Sequence, residues 1–82
     1  MDRSKIEYSI INIFYDIFEV EDIVINDKFS QKDIGDWDSI GHVRLMAAIQ
    51  DEFNIDIPFE DTINLSTVRD IIDCVCQIMN SL

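Results

Sequence analysis

Apolar residues recur every three or four positions in three segments of the sequence, and this is the spacing of residues on one face of an α-helix. With two glycines and one proline in 82 residues, the chain has few of the turn residues that an all-β fold requires. A chain of this length also supports only one hydrophobic core. We therefore expect a single all-α domain over residues 1–82.

The first of these segments predicts a helix that begins with a capping box at Ser4 and Glu7 and runs to about Glu19. Its apolar face is expected to comprise Ile6, Ile10, Ile13, Phe14 and Ile17. Tyr8 and Tyr15 lie on another face, which we expect to be solvated.

Residues 20–37 lose this periodicity and predict a long loop between the first and second helices. Such a long loop is uncommon in a compact domain unless it has a function or is held by apolar residues of its own. The residues available for that purpose are Ile23, Ile25, Phe29, Ile34 and Trp37.

The second helix is predicted to begin at Asp38, a favoured N-cap residue, and to end at Phe53. One of its two apolar stripes is wide enough to face the core and comprises Leu45, Met46, Ile49 and Phe53. A second stripe begins beside Ser39 and comprises Ile40, Val43 and Ala47. This second stripe is compatible with an exposed surface and with a broad core contact.

After residues 54–58 break the second helix, residues 59–65 are long enough only for a short third helix. The last helix is predicted to open with Ser66 as its N-cap. Its apolar face comprises Val68, Ile71, Ile72, Val75 and Met79. Cys74 and Cys76 point in different directions on this helix, so we expect them to pack as small apolar residues and not to form a disulfide.

Seventeen acidic and six basic side chains give a formal net charge of −11. Nucleic acids and anionic membrane surfaces would repel such a chain, whereas basic proteins would attract it. The first ten residues lack the layout of a signal peptide, and no apolar run approaches the length of a membrane span. We therefore expect a cytoplasmic protein.

Ser39 lies three residues before His42, the only histidine, which raises the possibility of a hydrolase. A nucleophile elbow needs a glycine where this sequence has Trp37, and it also needs a preceding strand. A catalytic triad further requires an orienting group and an oxyanion site. We therefore expect no catalytic residue, and His42 is expected to be an ordinary surface residue.

Asp33, Asp36 and Asp38 surround Gly35, but their spacing does not fit a calcium-binding loop, whose last position would fall on Arg44. No metal site is expected. Ser39 does lie in the first turn of a helix, where the helix dipole favours a phosphate by about 0.3–1 kcal/mol. Another enzyme could therefore modify this hydroxyl through a phosphate.

The run D-S-I at residues 38–40, followed by VRLMAAIQDEFNIDIP, resembles the acyl carrier proteins. Their usual pattern is D-S-L, then V-E-L, an acidic run ending in E-E-F, and an I-P pair. The segment LSTVRDIIDCV is similar to the one that opens the last helix of that family. The resemblance implies a four-helix bundle with three long helices, one short helix and a long loop between helices I and II.

The resemblance also implies a function and a site. A phosphopantetheinyl transferase would attach 4'-phosphopantetheine from coenzyme A to Ser39, and the thiol of this arm would carry acyl groups as thioesters. The protein would then be a monomeric carrier and not an enzyme, serving basic acyl-loading and acyl-transfer enzymes. Residues expected to contact these partners are Asp38, Ile40, Val43, Arg44 and Ala47.

Three residues depart from the family pattern. Arg44 stands where a glutamate is usual, and Gly41 and His42 replace small polar or acidic residues. The resemblance implies a carrier in fatty-acid, polyketide or other specialised biosynthesis. The departures argue against the general fatty-acid synthase enzymes as partners and favour a stand-alone carrier of a specialised pathway. Two alternatives stay open, an aminoacyl carrier of a cell-surface polymer pathway and an unmodified acidic helical adaptor.

Overall fold

A computed structural model describes residues 2–20 and 24–81. Its helices are α1 (Arg3–Phe18), α2 (Ser39–Phe53), α3 (Phe59–Thr62) and α4 (Val68–Met79). Helix α1 packs against both α2 and α4. The described ranges contain no strand, only an isolated bridge between Ser30 and Thr67. The prediction of an all-α bundle with three long helices and one short helix is confirmed.

Helix α1 begins earlier than predicted because Asp2, and not Ser4, is its N-cap. Asp2 has extended backbone angles, and its carboxylate accepts a hydrogen bond from the Ser4 backbone N–H at 3.4 Å. The predicted capping box at Ser4 and Glu7 is therefore wrong, since both residues lie inside the helix. The helix ends close to its predicted boundary, where Glu19 adopts a left-handed conformation with φ of 49°.

The N-cap of α4 lies one residue beyond the predicted position. Thr67 is extended, and its hydroxyl accepts a hydrogen bond from the Asp70 N–H at 3.0 Å. The predicted N-cap, Ser66, is wrong by one position. Its hydroxyl instead donates to the Asp70 carboxylate at 3.4 Å.

The core takes buried side chains from the three long helices, largely as the periodicity predicts. Ile13, Ile17 and Met79 lie at its margin and are half-buried. Phe18 is also buried, although it lies outside the predicted apolar face of α1. The buried side chains of α1, α2 and α4 include Ile6, Ile10, Phe14, Leu45, Met46, Ile49, Phe53, Val68, Ile71, Ile72 and Val75.

The long loop is held by its own apolar residues, as predicted. Ile25, Ile34 and Trp37 are buried, and Phe29 is half-buried. The predicted role of Ile23 lies outside the described residues. Tyr15 differs from the prediction of a solvated side chain, because it is half-buried and its hydroxyl accepts a hydrogen bond from the Ile25 N–H at 2.9 Å.

Hydrogen bonds also join this loop to the first turn of α4. The Val68 N–H donates to the Phe29 carbonyl oxygen, and the Arg69 N–H donates to the Asp27 carbonyl oxygen, each at 2.9 Å. The Arg69 guanidinium donates two further bonds to the Asp27 carboxylate, at 2.7 and 3.0 Å. The described part of the loop, residues 24–37, is thus held against the start of α4.

The two cysteines pack as the sequence predicts. Both are free thiols, with Cys76 buried and Cys74 half-buried. Burial raises the pKa of the Cys74 thiol above its ordinary value, and the nearby Asp61 carboxylate adds to this effect. Both effects disfavour the thiolate form of Cys74.

The described helices include none with the length and apolar character needed to cross a lipid bilayer.

Candidate functional site

Asp38 fixes the start of α2 and places Ser39 in the first turn. Its carboxylate accepts a hydrogen bond from the Gly41 N–H at 2.8 Å, and its carbonyl oxygen accepts from the His42 N–H, also at 2.8 Å. The predicted N-cap at Asp38 is therefore confirmed. Ser39 is the first residue of the helix and is exposed, so its hydroxyl is accessible to another protein.

Gly41 allows the preceding loop to pass directly against this helix. A Cβ atom at residue 41 would overlap the Asp36 carbonyl oxygen and approach the Phe18 ring to 3.0 Å. A glycine is therefore required for this close approach. The sequence contained no signal for this contact, because an isolated glycine within a helical pattern does not reveal what lies beside it.

His42 contradicts the prediction of an ordinary surface residue. It is only 8% exposed, and its Nδ1 accepts a hydrogen bond from the Trp37 indole N–H at 2.8 Å. Its Nε2 lies 2.7 Å from the Thr62 carbonyl oxygen, to which it donates. These two bonds allow the ring to be buried, because they satisfy both of its nitrogens.

The same bonds explain why Ser39 and His42 do not form a catalytic pair. The lone pair of the neutral ring faces Trp37, and the ring N–H faces Thr62. A general base would need that lone pair to accept the serine proton. The geometry therefore gives His42 a different role from that of a base for Ser39.

A cavity of about 520 Å³ opens beside Ser39, between α2 and the segment that contains α3. Its lining is mainly apolar, with exposed side chains at its edge. Phe59 and Ile63 also line the cavity, which the sequence does not predict, and these two residues are 72% and 62% exposed. Residues that line the cavity include Ser39, His42, Val43, Met46, Ala47, Ile57, Phe59, Thr62 and Ile63.

The second apolar stripe of α2 is exposed, which decides between the two arrangements left open by the sequence. Ile40 is 74% exposed, Val43 is 62% exposed, and Ala47 is exposed as well. Val43 and Ala47 line the cavity, whereas Ile40 lines a separate cleft. The stripe is therefore available for contacts with other proteins on two sides of Ser39.

This second cleft has a volume of about 410 Å³ and lies between the end of α1 and the start of α2. Arg44 lines it together with three acidic residues, Glu19, Asp36 and Asp38. The cleft thus places one exposed cation among carboxylates. The cavity on one side of Ser39 is therefore mainly apolar, whereas the cleft on the other side is lined by charged residues.

One aspartate of the loop, Asp33, stabilises a local turn. The Asp33 carboxylate accepts hydrogen bonds from the Ser30 N–H at 2.8 Å and from the Ser30 hydroxyl at 3.3 Å, which closes a turn. Within residues 2–20 and 24–81, no three or more histidine, cysteine or acidic side chains are grouped as metal ligands would be.

Comparisons with known proteins agree with this geometry. Residues 9–75 match the family model described as "Phosphopantetheine attachment site". The chain is also 30% identical over 77 residues to a protein named "Acyl carrier protein" from Syntrophobacter fumaroxidans (strain DSM 10017 / MPOB). That alignment covers 94% of this chain and 95% of the relative.

These matches give a role to an exposed serine whose neighbouring histidine is bonded to Trp37 and Thr62. An exposed hydroxyl at a helix start fits covalent attachment of 4'-phosphopantetheine, the cofactor of this family. A carrier domain of this kind interacts with a phosphopantetheinyl transferase and with enzymes that handle acyl groups. The chain belongs to the acyl carrier protein family, and it is a carrier and not a catalyst.

Proposed function

We propose that Ser39 is the attachment residue for 4'-phosphopantetheine and that the protein carries acyl intermediates as thioesters. The observation that carries this proposal is the exposed Ser39 hydroxyl, held in the first turn of α2 at the edge of a cavity. We further propose one carrier domain over residues 1–82, acting as a monomer in the cytoplasm.

The attachment reaction requires little from the chain itself. A bond forms between the Ser39 oxygen and the phosphorus that bears the pantetheine of coenzyme A, while the pyrophosphate bond breaks and adenosine 3',5'-bisphosphate leaves. The hydroxyl proton goes to a base of the transferase, since His42 is already engaged by Trp37. The bound arm supplies a thiol for thioester formation. The positive end of α2 favours the attached phosphodiester by about 0.3–1 kcal/mol.

Residues around Ser39 provide the surface that we propose for partner enzymes. They combine the apolar stripe with the charges at the start of α2, and every one is exposed. The net charge of −11 would increase the rate of encounter with basic enzymes, and the apolar side chains would provide short-lived contacts. The proposed partner residues are Asp38, Ile40, Val43, Arg44 and Ala47.

The charge of α2 supports a specialised pathway. Within residues 39–53 the acidic residues are Asp51 and Glu52, and Arg44 adds a positive charge near Ser39. An enzyme whose basic surface binds an acidic helix would therefore be attracted less strongly to α2 of this protein. We propose acyl cargo of fatty-acid, polyketide or other specialised biosynthesis, with the specialised pathways favoured by Arg44.

Intact-mass measurement tests the attachment site. The unmodified protein is incubated with coenzyme A and a transferase of broad specificity, and we expect it to gain the mass of one phosphopantetheinyl group. Ser39→Ala should remain at its encoded mass. Ser4→Ala is a matched control, because Ser4 is also an exposed serine in the first turn of a helix capped by aspartate. No gain by the wild type, or a gain that persists in Ser39→Ala, would overturn the proposal.

A further inference from the structure

His42 joins three parts of the fold through the two nitrogens of its ring. Trp37 in the long loop donates to Nδ1, and Nε2 donates to the carbonyl oxygen of Thr62, the last residue of α3. One nitrogen must therefore be an acceptor and the other a donor. This pattern selects the neutral ring with its proton on Nε2.

The bonded pair of His42 and Trp37 lies between the cavity and the hydrophobic core. His42 lines the cavity beside Ser39, whereas Trp37 is only 2% exposed. The Trp37 ring meets the Phe14 ring edge to face, with centroids 4.9 Å apart, and the Phe18 ring centroid lies 6.3 Å away. A group that moved inward from the cavity past His42 would have to displace this aromatic cluster.

The bond to Thr62 also fixes one wall of the cavity. Helix α3 has only four residues, and its N-terminus has no side-chain cap. Hydrogen bonds to α2 instead hold the chain just before α3 and at its last residue. The Gln50 amide oxygen accepts from the Ile57 N–H at 2.7 Å, and His42 donates to the Thr62 carbonyl oxygen. Loss of the His42 bond would release the end of α3 beside the cavity.

We propose that His42 is a positioning residue that closes the inner end of this cavity, so that acyl cargo attached at Ser39 stays at the protein surface. The confinement of acyl cargo to the surface rests on the proposed function. The closure of the cavity by His42 does not depend on that function, because both bonds of His42 lie within the unmodified chain.

The first experiment uses the unmodified protein and spectroscopy. Long-range ¹⁵N spectra should show His42 protonated on Nε2, and the indole N–H of Trp37 should exchange slowly with solvent. His42→Ala should accelerate that exchange by about tenfold or more and shift the emission of Trp37, the only tryptophan, to longer wavelength. His42→Gln should restore part of the protection, because its amide has an acceptor and donors.

A His42 ring protonated on Nδ1 would overturn the proposal that His42 closes the cavity. An exchange rate of the Trp37 indole N–H that is unchanged in His42→Ala would overturn it as well. Should His42→Ala fail to fold, the His42→Gln variant and the tautomer of the wild type still decide the question. None of these measurements depends on attachment at Ser39.

The second experiment places a cargo on the arm. A broad-specificity transferase loads octanoyl-phosphopantetheine from octanoyl-coenzyme A, and intact mass confirms the loading before thermal unfolding is measured. In the wild type the octanoyl form and the thiol form should have the same Tm. In His42→Ala the octanoyl form should have the higher Tm, because the opened core can bury the chain.

Val43→Ala serves as the matched control, since Val43 lines the same cavity without bonding to Trp37 or Thr62. The octanoyl and thiol forms of Val43→Ala should have the same Tm, as in the wild type. A wild-type Tm raised by the octanoyl group as much as that of His42→Ala would refute the confinement of cargo. Failure to load any variant would instead count against attachment at Ser39 and leave the spectroscopic result as the test of closure.

Discussion

The α-carbon of Gly41 lies so close to the carbonyl oxygen of Asp36 that no Cβ atom fits between them. We predict that Gly41→Ala lowers the free energy of unfolding by about 1–3 kcal/mol, because the methyl group would force the loop and helix apart. In a helix without this contact the same change would raise stability by about 1 kcal/mol. The sign of the effect, measured by urea denaturation, therefore reports the contact.

Gly35→Ala is the matched control for this measurement. An added Cβ at Gly35 would meet no atom within 4 Å, so we expect a change of less than about 0.5 kcal/mol. A Gly41→Ala protein as stable as the wild type would contradict the close packing of the loop on α2.

The ion pair between Asp27 and Arg69 should make stability depend on pH. Hydrogen bonds from Arg69 lower the pKa of the Asp27 carboxyl below its ordinary value of 3.8. A lowered folded-state pKa gives stability that is present above the unfolded-state value and is lost as pH falls through the folded-state value. Asp27→Asn should therefore lower Tm at neutral pH by about 1–4 °C, and the difference should vanish well below pH 3.8.

Asp51→Asn removes the same charge from an exposed position on α2 and provides the comparison. We expect it to leave Tm unchanged or slightly higher at neutral pH, because it relieves repulsion in a chain with a net charge of −11. An equal loss of Tm in both variants would show that Asp27 contributes nothing beyond its charge.

The raised pKa of Cys74 predicts slow alkylation of the unmodified protein. Little of the Cys74 thiol is in the reactive thiolate form near neutral pH. Cys76 is buried, which hinders the approach of a reagent to its sulfur. Iodoacetamide should therefore react much faster with the exposed thiol of an attached arm than with either cysteine. The reaction at Cys74 should accelerate as pH rises toward the raised pKa, and mass spectrometry of peptides would follow each site. Equal labelling of arm and cysteines at neutral pH would be the contrary result.

Arg44 should govern which enzymes accept this carrier. If its charge weakens binding to enzymes that read an acidic helix, Arg44→Glu should improve loading by general fatty-acid synthase enzymes by about five- to tenfold in kcat/KM. Lys5→Glu makes the same charge change on an exposed position of α1 and should have a smaller effect. Equal loading of the wild type and Arg44→Glu would refute this role.

The sequence was most informative where structure depends on neighbouring residues. The Asp38 cap, the core stripe of α2 and the face of α4 follow from spacing and local hydrogen bonding. Where two capping residues lie close together, spacing alone did not choose between them. Ser66 and Thr67 are both favoured N-cap residues, and the structure assigns this role to Thr67.

The parts that could not be predicted depend on distant residues. The burial of His42 is not predictable from residues 35–42, because its partner, the carbonyl oxygen of Thr62, lies 20 positions further along the chain. Phe59 and Ile63 were likewise not assigned to the site, because only the folded chain brings them to the cavity beside Ser39. The prediction of Ser39 as the attachment residue rests on the family resemblance of the surrounding sequence, and not on the chemistry of the serine itself.

The measurement that tests the central claim most directly is mass spectrometry of the protein isolated from its native cells. The account predicts a phosphopantetheinyl group on the peptide that contains Ser39, with an acyl group on its thiol that neutral hydroxylamine removes. A protein found entirely at its encoded mass, or modified at another residue, would contradict the account.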